Sequence, residues 1–301
     1  MCIEIEKNIV YGKTEKEYLT ADIYKPTNQD RSLPVLVLIH GGAFQAGSKE
    51  MYVDWGKHLA KENYFVLAVN YSLASLNYKS YPNVLEDIAK ALNWIVLQSN
   101  ERDLDVEKIA LIGDSAGAYI ASMYTLNLNA FSYKIRAVIG VYGVYDLVEE
   151  CINPVMKRKV NMFERLLGIP FEGNENVFRN ASPINYIDRA SSNPNFDTKF
   201  FLTYGTNDKI VNPIQTQQFY KALQNAGIPV EIKEFNDLGH FWFNELPGVD
   251  IGKVTDYPNT FLYPELLQFL NKTVRNTDSG NFSKKLINDL LKMDHIINGG
   301  L

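Results

Sequence analysis

Gly113-Asp114-Ser115-Ala116-Gly117 sets a serine two positions from a glycine on either side. It directly follows the apolar run 109–112 and precedes the helix-compatible stretch 118–122. A serine hydroxyl is a poor nucleophile until a strained strand-to-helix turn exposes it and a base takes its proton. Glycines on both flanks let neighbouring backbone approach without a Cβ clash. Chemistry of this kind also needs backbone N–H donors where an oxyanion develops. His40-Gly41-Gly42-Ala43-Phe44 follows the apolar run 35–39, and there Gly41 and Gly42 could turn their N–H groups toward one point, joined by the N–H of Ala116. Taken singly, each motif is also compatible with an ordinary tight turn. The case rests on their occurring together with a base and an acid.

For the base, the chain offers four histidines. His40 belongs to the glycine loop, His58 lies in a polar stretch over 54–63, and His295 lies near the C-terminus. His240, in Leu238-Gly239-His240-Phe241-Trp242, comes just after an alternating run at 230–235 and is the expected general base. Two carboxylates compete as its orienting partner. Asp208 follows the apolar run 200–204, Asp146 follows the run 135–141, and each is thus expected at a strand end, where open parallel sheets gather functional groups. Chain order together with the better strand-loop-helix frame around Asp208 favours Asp208 over Asp146. Phe44, Tyr71, Phe241 and Trp242 stand beside these segments as candidates for a substrate pocket, with plain packing as the equal alternative.

The elements that must position these residues are legible as patterns. Stretches rich in β-branched and aromatic residues between 3 and 24, with Gly12-Lys13-Thr14 as the expected turn, read as an antiparallel hairpin. Beyond it, apolar runs at 35–39, 64–69, 109–112, 135–141 and 200–204 alternate with helical patterns. That alternation predicts an α/β fold whose mostly parallel sheet of about eight strands is covered by helices on both faces. Val84, Ile88, Ala91 and Ile95 recur at helical spacing opposite Glu86, Lys90 and Asn93. Asn212 as cap, Pro213 at the first helical position and Gln215 mark another helix start, with Gly227 and Pro229 beyond its end. Residues 147–198 break the alternation and read as a small cap insertion within one domain over 1–301, while 281–297 read as a terminal amphipathic helix.

With 301 residues, 46% of them hydrophobic, the chain can bury a large core. A net charge of −5 with dispersed Lys and Arg argues against nucleic acid as a partner. Nowhere is there the run of about 18 apolar residues that a membrane span requires. The N-terminal stretch has acidic residues where an export signal would be basic and then apolar, so a cytoplasmic setting is the expectation. Cys2 and Cys151 suggest neither a disulfide nor a metal site, and no cofactor or metal is expected.

Taken together, the HGGAF loop with Gly47-Ser48, Asn70-Tyr71-Ser72-Leu73-Ala74, Tyr81-Pro82 with Glu86-Asp87, Gly113 to Gly117, Gly205-Thr206-Asn207-Asp208 and Gly239-His240 resemble the α/β-hydrolase superfamily. Within it they are most similar to esterases like hormone-sensitive lipase and to feruloyl and acetyl-xylan esterases. The likeness covers roughly residues 30–245. It implies the α/β-hydrolase fold and a serine carboxylesterase acting on small or aryl esters, with Ser115, Asp208 and His240 as its triad. Ala43, Ala118 and Ser72 depart from a third glycine, a glycine and an arginine common in such esterases, which leaves the acyl or alcohol preference open. Aryl-formamide hydrolysis is the alternative chemistry, and a non-catalytic small-molecule receptor on the same fold is the alternative class. A small-molecule ester is the expected partner, and the terminal helix makes a homodimer conceivable.

Overall fold

The computed structural model describes residues 2–29, 31–127, 133–155, 161–246 and 248–275. Strands β1 (Ile3–Lys13), β2 (Tyr18–Pro26), β3 (Leu33–Ile39), β4 (Phe65–Val69), β5 (Leu104–Asp114), β6 (Ile135–Val141), β7 (Lys199–Gly205) and β8 (Val230–Phe235) form one eight-stranded sheet in the order β1-β2-β4-β3-β5-β6-β7-β8. β2 runs antiparallel to β1 and β4, and every pairing from β4 to β8 is parallel. This is the mostly parallel sheet that the alternation predicts, in the α/β-hydrolase arrangement that the resemblance implies.

Successive side chains of a strand face opposite ways, so a strand buried on both faces must be apolar throughout. In β3, Val35, Val37 and Ile39 enter one core while Leu36 and Leu38 enter the other. Phe65, Leu67 and Val69 of β4 divide from Val66 and Ala68 in the same way. The first core is covered by α2 (Asn83–Arg102), α3 (Ala116–Leu126) and α8 (Ile214–Asn225). Helices α1 (Val53–Lys61) and α9 (Asn259–Leu270) close the second through Trp55, Leu59, Leu262 and Leu266. Val84, Ile88, Ala91 and Ile95 are all buried, as their spacing requires. Among the described residues, no helix is long and apolar enough to cross a membrane.

Two local expectations shift. Gly12 lies inside β1 at an irregularity in the register, and the hairpin turns over residues 14–17, where Thr14 Oγ1 accepts the N–H groups of Lys16 and Glu17. A hydroxyl that caps its own turn outcompetes a glycine that the strand can absorb as a bulge. The other shift is at Asn212. Its side chain does accept the Ile214 N–H at 3.1 Å, but α8 begins after Pro213.

Between β6 and β7, residues 147–198 contain short helices α4 (Leu147–Ile152), α5 (Met162–Leu167), α6 (Glu175–Asn180) and α7 (Ile187–Ser191). The amphipathic stretch at 281–297 lies outside the described residues.

Candidate active site

Ser115 sits between the end of β5 and the start of α3 with φ 51° and ψ −115°. For a residue with a side chain, that conformation costs about 1–3 kcal/mol and persists only when neighbours enforce it. Here the Ser115 N–H donates to Val141 O at 2.8 Å, and Ser115 O accepts the Tyr119 N–H. A Cβ on Gly113 would lie 2.3 Å from the Gly117 carbonyl carbon, and one on Gly117 would lie 1.9 Å from Ile39 O. Both flanking glycines are therefore required by close approach, and Gly117 brings the turn directly against the end of β3.

The glycine loop continues from that same strand end. Gly42, Ala43 and Phe44 all have positive φ, at 117°, 54° and 65°. Gly42 O accepts the N–H groups of Gln45 and Ala46, each at 3.0 Å. Gly41, expected as an oxyanion donor, is not free for that role, because its N–H donates to Asp114 Oδ1 at 2.9 Å. The N–H groups of Gly42, Ala43 and Ala116 have no acceptor among the described residues. Of the N–H groups that the sequence offers an oxyanion, Gly41 drops out, while Gly42, Ala116 and Ala43, which supplies its backbone N–H although it lacks the glycine common at that position, keep theirs.

His40 is buried and stacked on Tyr71 with ring centroids 4.3 Å apart, its Nδ1 bonded to Gly41 O. Burial lowers its pKa from 6.5 to about 4, only partly offset by that hydrogen bond, so the ring stays neutral. Its contribution is to the shape of the loop.

Asp208 and His240 arrive from the loops after β7 and β8. Asp208 Oδ1 accepts the N–H groups of Ile210 and Val211, which fixes the carboxylate and leaves Oδ2 bonded to His240 Nδ1 at 2.6 Å. A carboxylate only accepts, so Nδ1 carries the proton and Nε2 the lone pair. Nε2 is buried and has no hydrogen-bond partner among the described residues. Asp146, the rival acid, instead caps α4 by accepting from Val148 and Glu149 N–H, and its own backbone is held by Gln215.

Residues 141 and 142 link the Ser115 turn to His240. Val141 O holds the Ser115 N–H, and the Tyr142 ring lies 4.2 Å from the His240 ring. Ser115 Oγ is not hydrogen-bonded to His240 Nε2, as is common in ligand-free sites where that bond tightens only with substrate.

Asp114 is a residue whose part sequence reasoning missed. Its Oδ1 accepts the Gly41 N–H, the Tyr52 hydroxyl at 2.9 Å and the Asn244 side-chain N–H at 2.8 Å. One buried oxygen therefore joins the Ser115 turn, the glycine loop and the histidine loop. Burial raises its pKa from 3.8 to about 6, against the lowering effect of Tyr52, the Gly41 N–H, His240 and Asn244. Asn259 was missed as well. Its Nδ2 donates to the carbonyls of Trp242, Phe243 and Lys253 and so holds the histidine loop onto α9. The only sequence signal for Asp114 was its place in the motif, and for Asn259 there was none.

The expected pocket residues Phe44, Tyr71 and Trp242 are 1%, 3% and 6% exposed. Phe44 packs edge-on against Tyr119 and Phe163, Tyr71 stacks on His40, and Trp242 packs against Tyr142 and Phe235. Each of these rings is thus buried against its neighbours, the arrangement that the packing alternative expects. Phe241 differs, being 41% exposed with its ring edge-on to His240 at 4.6 Å.

The sequence profile of the BD-FAE family matches residues 21–223, more than half of the chain. The chain belongs to the BD-FAE family. Among curated proteins it is similar to the probable carboxylic ester hydrolase LipM of Mycobacterium tuberculosis, 28% identical over 68% of this chain and 48% of that one. It is also similar to the kynurenine formamidase of Danio rerio, 26% identical over 78% of this chain and 74% of that one. The BD-FAE chain thus spans about half the length of the first relative. Among solved structures, a truncated carbohydrate esterase from gut microbiota superposes with a TM-score of 0.73 at 18% identity, covering 91% of this chain and 97% of that one. A bacterial heroin esterase gives 0.71 at 20% identity, over 91% and 85%. At these identities the structural likeness establishes the BD-FAE chain's α/β-hydrolase fold alone.

Proposed function

We propose that this BD-FAE-family protein is a serine carboxylic ester hydrolase acting on small or aryl esters. The observation that carries the reading is the His240 Nδ1–Asp208 bond of 2.6 Å, with the lone-pair nitrogen Nε2 buried and without a partner among the described residues, and with residues 141 and 142 linking the histidine to the turn of Ser115. His240 Nε2 takes the Ser115 proton as Oγ attacks the ester carbonyl. The negative oxygen of the tetrahedral intermediate is met by the N–H groups of Gly42, Ala43 and Ala116. His240 returns the proton to the departing alcohol, and the acyl group stays on Ser115. Water then gives a proton to His240 as it attacks the acyl carbonyl, and His240 returns that proton to Ser115 Oγ as the acyl–oxygen bond breaks and the acid leaves. Asp208 keeps the imidazole in the tautomer this requires and stabilises its cationic form.

The likeness to a kynurenine formamidase favours one second reading, hydrolysis of an aryl formamide by the same groups. Wild type and Ser115→Ala should be assayed on p-nitrophenyl acetate, p-nitrophenyl octanoate and an aryl formamide, and labelled with a fluorophosphonate. Turnover of the esters and labelling by wild type alone support the esterase. A higher kcat/KM for the formamide moves the assignment to the second reading. A wild type that neither turns over nor labels points to a receptor role.

A further inference from the structure

The peptide between Ala43 and Phe44 is the least relaxed part of the glycine loop. Both residues carry side chains and both have positive φ, which disfavours them intrinsically, so tertiary contacts must hold the conformation. Phe44 is held by its carbonyl, which accepts the Ala74 N–H at 2.7 Å, and by its ring against Tyr119 and Phe163. Ala43 O is held by Gln45, whose Nε2 donates to it at 3.1 Å. Gln45 is in turn held by α5, because Arg165 Nη1 donates to its Oε1 at 2.5 Å. Phe163 belongs to the same helix, so α5 grips the glycine loop at two successive residues.

We propose that Gln45 is a positioning residue for the oxyanion donors, and that Arg165 of the β6–β7 segment acts through it. The proposal rests on the serine esterase reading and adds to it a dependence of turnover on α5. Gln45 touches no reacting atom. Its side-chain amide fixes the plane of the 43–44 peptide and so the ψ rotation of Ala43, while its backbone N–H, with that of Ala46, holds Gly42 O and so the 42–43 peptide, whose Ala43 N–H has no acceptor among the described residues and would meet the oxyanion. That donor is needed more as charge develops than when substrate first binds, so the loss should fall on kcat rather than on KM. Arg165 orients the amide so that its nitrogen faces Ala43 and its oxygen faces α5.

The test uses the full chain with p-nitrophenyl acetate and butyrate, the rate of fluorophosphonate labelling, and melting temperature. Gln45→Ala is expected to lower kcat and the labelling rate about tenfold with KM within twofold. Gln45→Glu keeps an acceptor for Arg165 but loses the donor to Ala43 O, and is expected to lose as much. Arg165→Ala is expected to lose about threefold, and Gln45→Ala with Arg165→Ala no more than Gln45→Ala alone, since one residue acts through the other. Wild-type kcat in Gln45→Glu, an effect confined to KM, or losses that multiply in the double variant would each overturn the proposal. Inactive wild type would bring down the esterase reading beneath it. Active wild type with inactive Ser115→Ala and unaffected Gln45 variants would overturn this inference alone.

Discussion

Asp114 Oδ1 accepts the Gly41 N–H at 2.9 Å, joining residues 73 positions apart and tying the glycine loop to the strand that leads into Ser115. The same oxygen holds Tyr52 and Asn244, so its protonation state governs three segments together.

Burial raises the Asp114 pKa from 3.8 to about 6, so the folded state binds this proton more tightly than the unfolded chain does. Its contribution to stability is complete below about pH 3.8 and is lost as pH rises through about 6. Asp114→Asn removes that dependence. The stability of the variant relative to wild type is expected to improve by up to about 3 kcal/mol between pH 4 and pH 8. Urea unfolding of both proteins at the two pH values measures this, and a constant difference would refute it.

His40 has the opposite sign. Its folded pKa of about 4 lies below the ordinary 6.5, so the stability contributed by the neutral ring is present above pH 6.5 and is lost as pH falls toward 4. His40→Asn should lack this acid-linked loss of about 3 kcal/mol. The same unfolding series, run from pH 7 to pH 4 against wild type, checks it.

Asp208 and Asp146 are separated by substitution. Asp208→Asn is expected to lower kcat by about 10⁴ because it disturbs the His240 tautomer. Asp146→Asn loses a carboxylate that accepts two N–H groups at the start of α4, which changes stability by at most about 1 kcal/mol and leaves kcat within twofold. Steady-state kinetics and thermal melts of the pair decide it, and the reverse pattern would make Asp146 the acid.

Phe241 and Trp242 are adjacent in sequence and differ in environment. Trp242→Ala empties a buried site and should cost about 3–5 kcal/mol. Phe241→Ala, at an exposed ring beside His240, should shift the ratio of kcat/KM for phenyl over alkyl esters while changing stability by less than about 1 kcal/mol. Unchanged selectivity in Phe241→Ala would remove this ring from any substrate contact.

Whatever depends on neighbours along the chain was legible in the residues themselves. The apolar run at 135–141 and the alternating run at 230–235 coincide with β6 and β8, because a strand's environment is written in its own alternation or in its unbroken apolarity. The turn around Ser115 was legible for the same reason, since strand, glycine, serine, glycine and helix follow one another within about a dozen residues. Asp208 was favoured over Asp146 by the strand-loop-helix frame around it, since both acids lie between Ser115 and His240, and the structure pairs Asp208 with His240.

Only the tertiary structure decided which N–H groups stay free. Gly41 and Gly42 are alike in sequence, and Gly41 is taken because β3 and β5 lie side by side and set the Asp114 carboxylate against it. Phe44, Tyr71 and Trp242 could not be told from Phe241 by type or spacing. Whether a ring is core or surface depends on what packs against it, and here those partners come from α3, α5, the glycine loop and the end of β6. Hydrogen bonds and packing between distant segments are properties of the assembled sheet, and a linear pattern does not encode which of several equivalent donors or rings the assembly will consume.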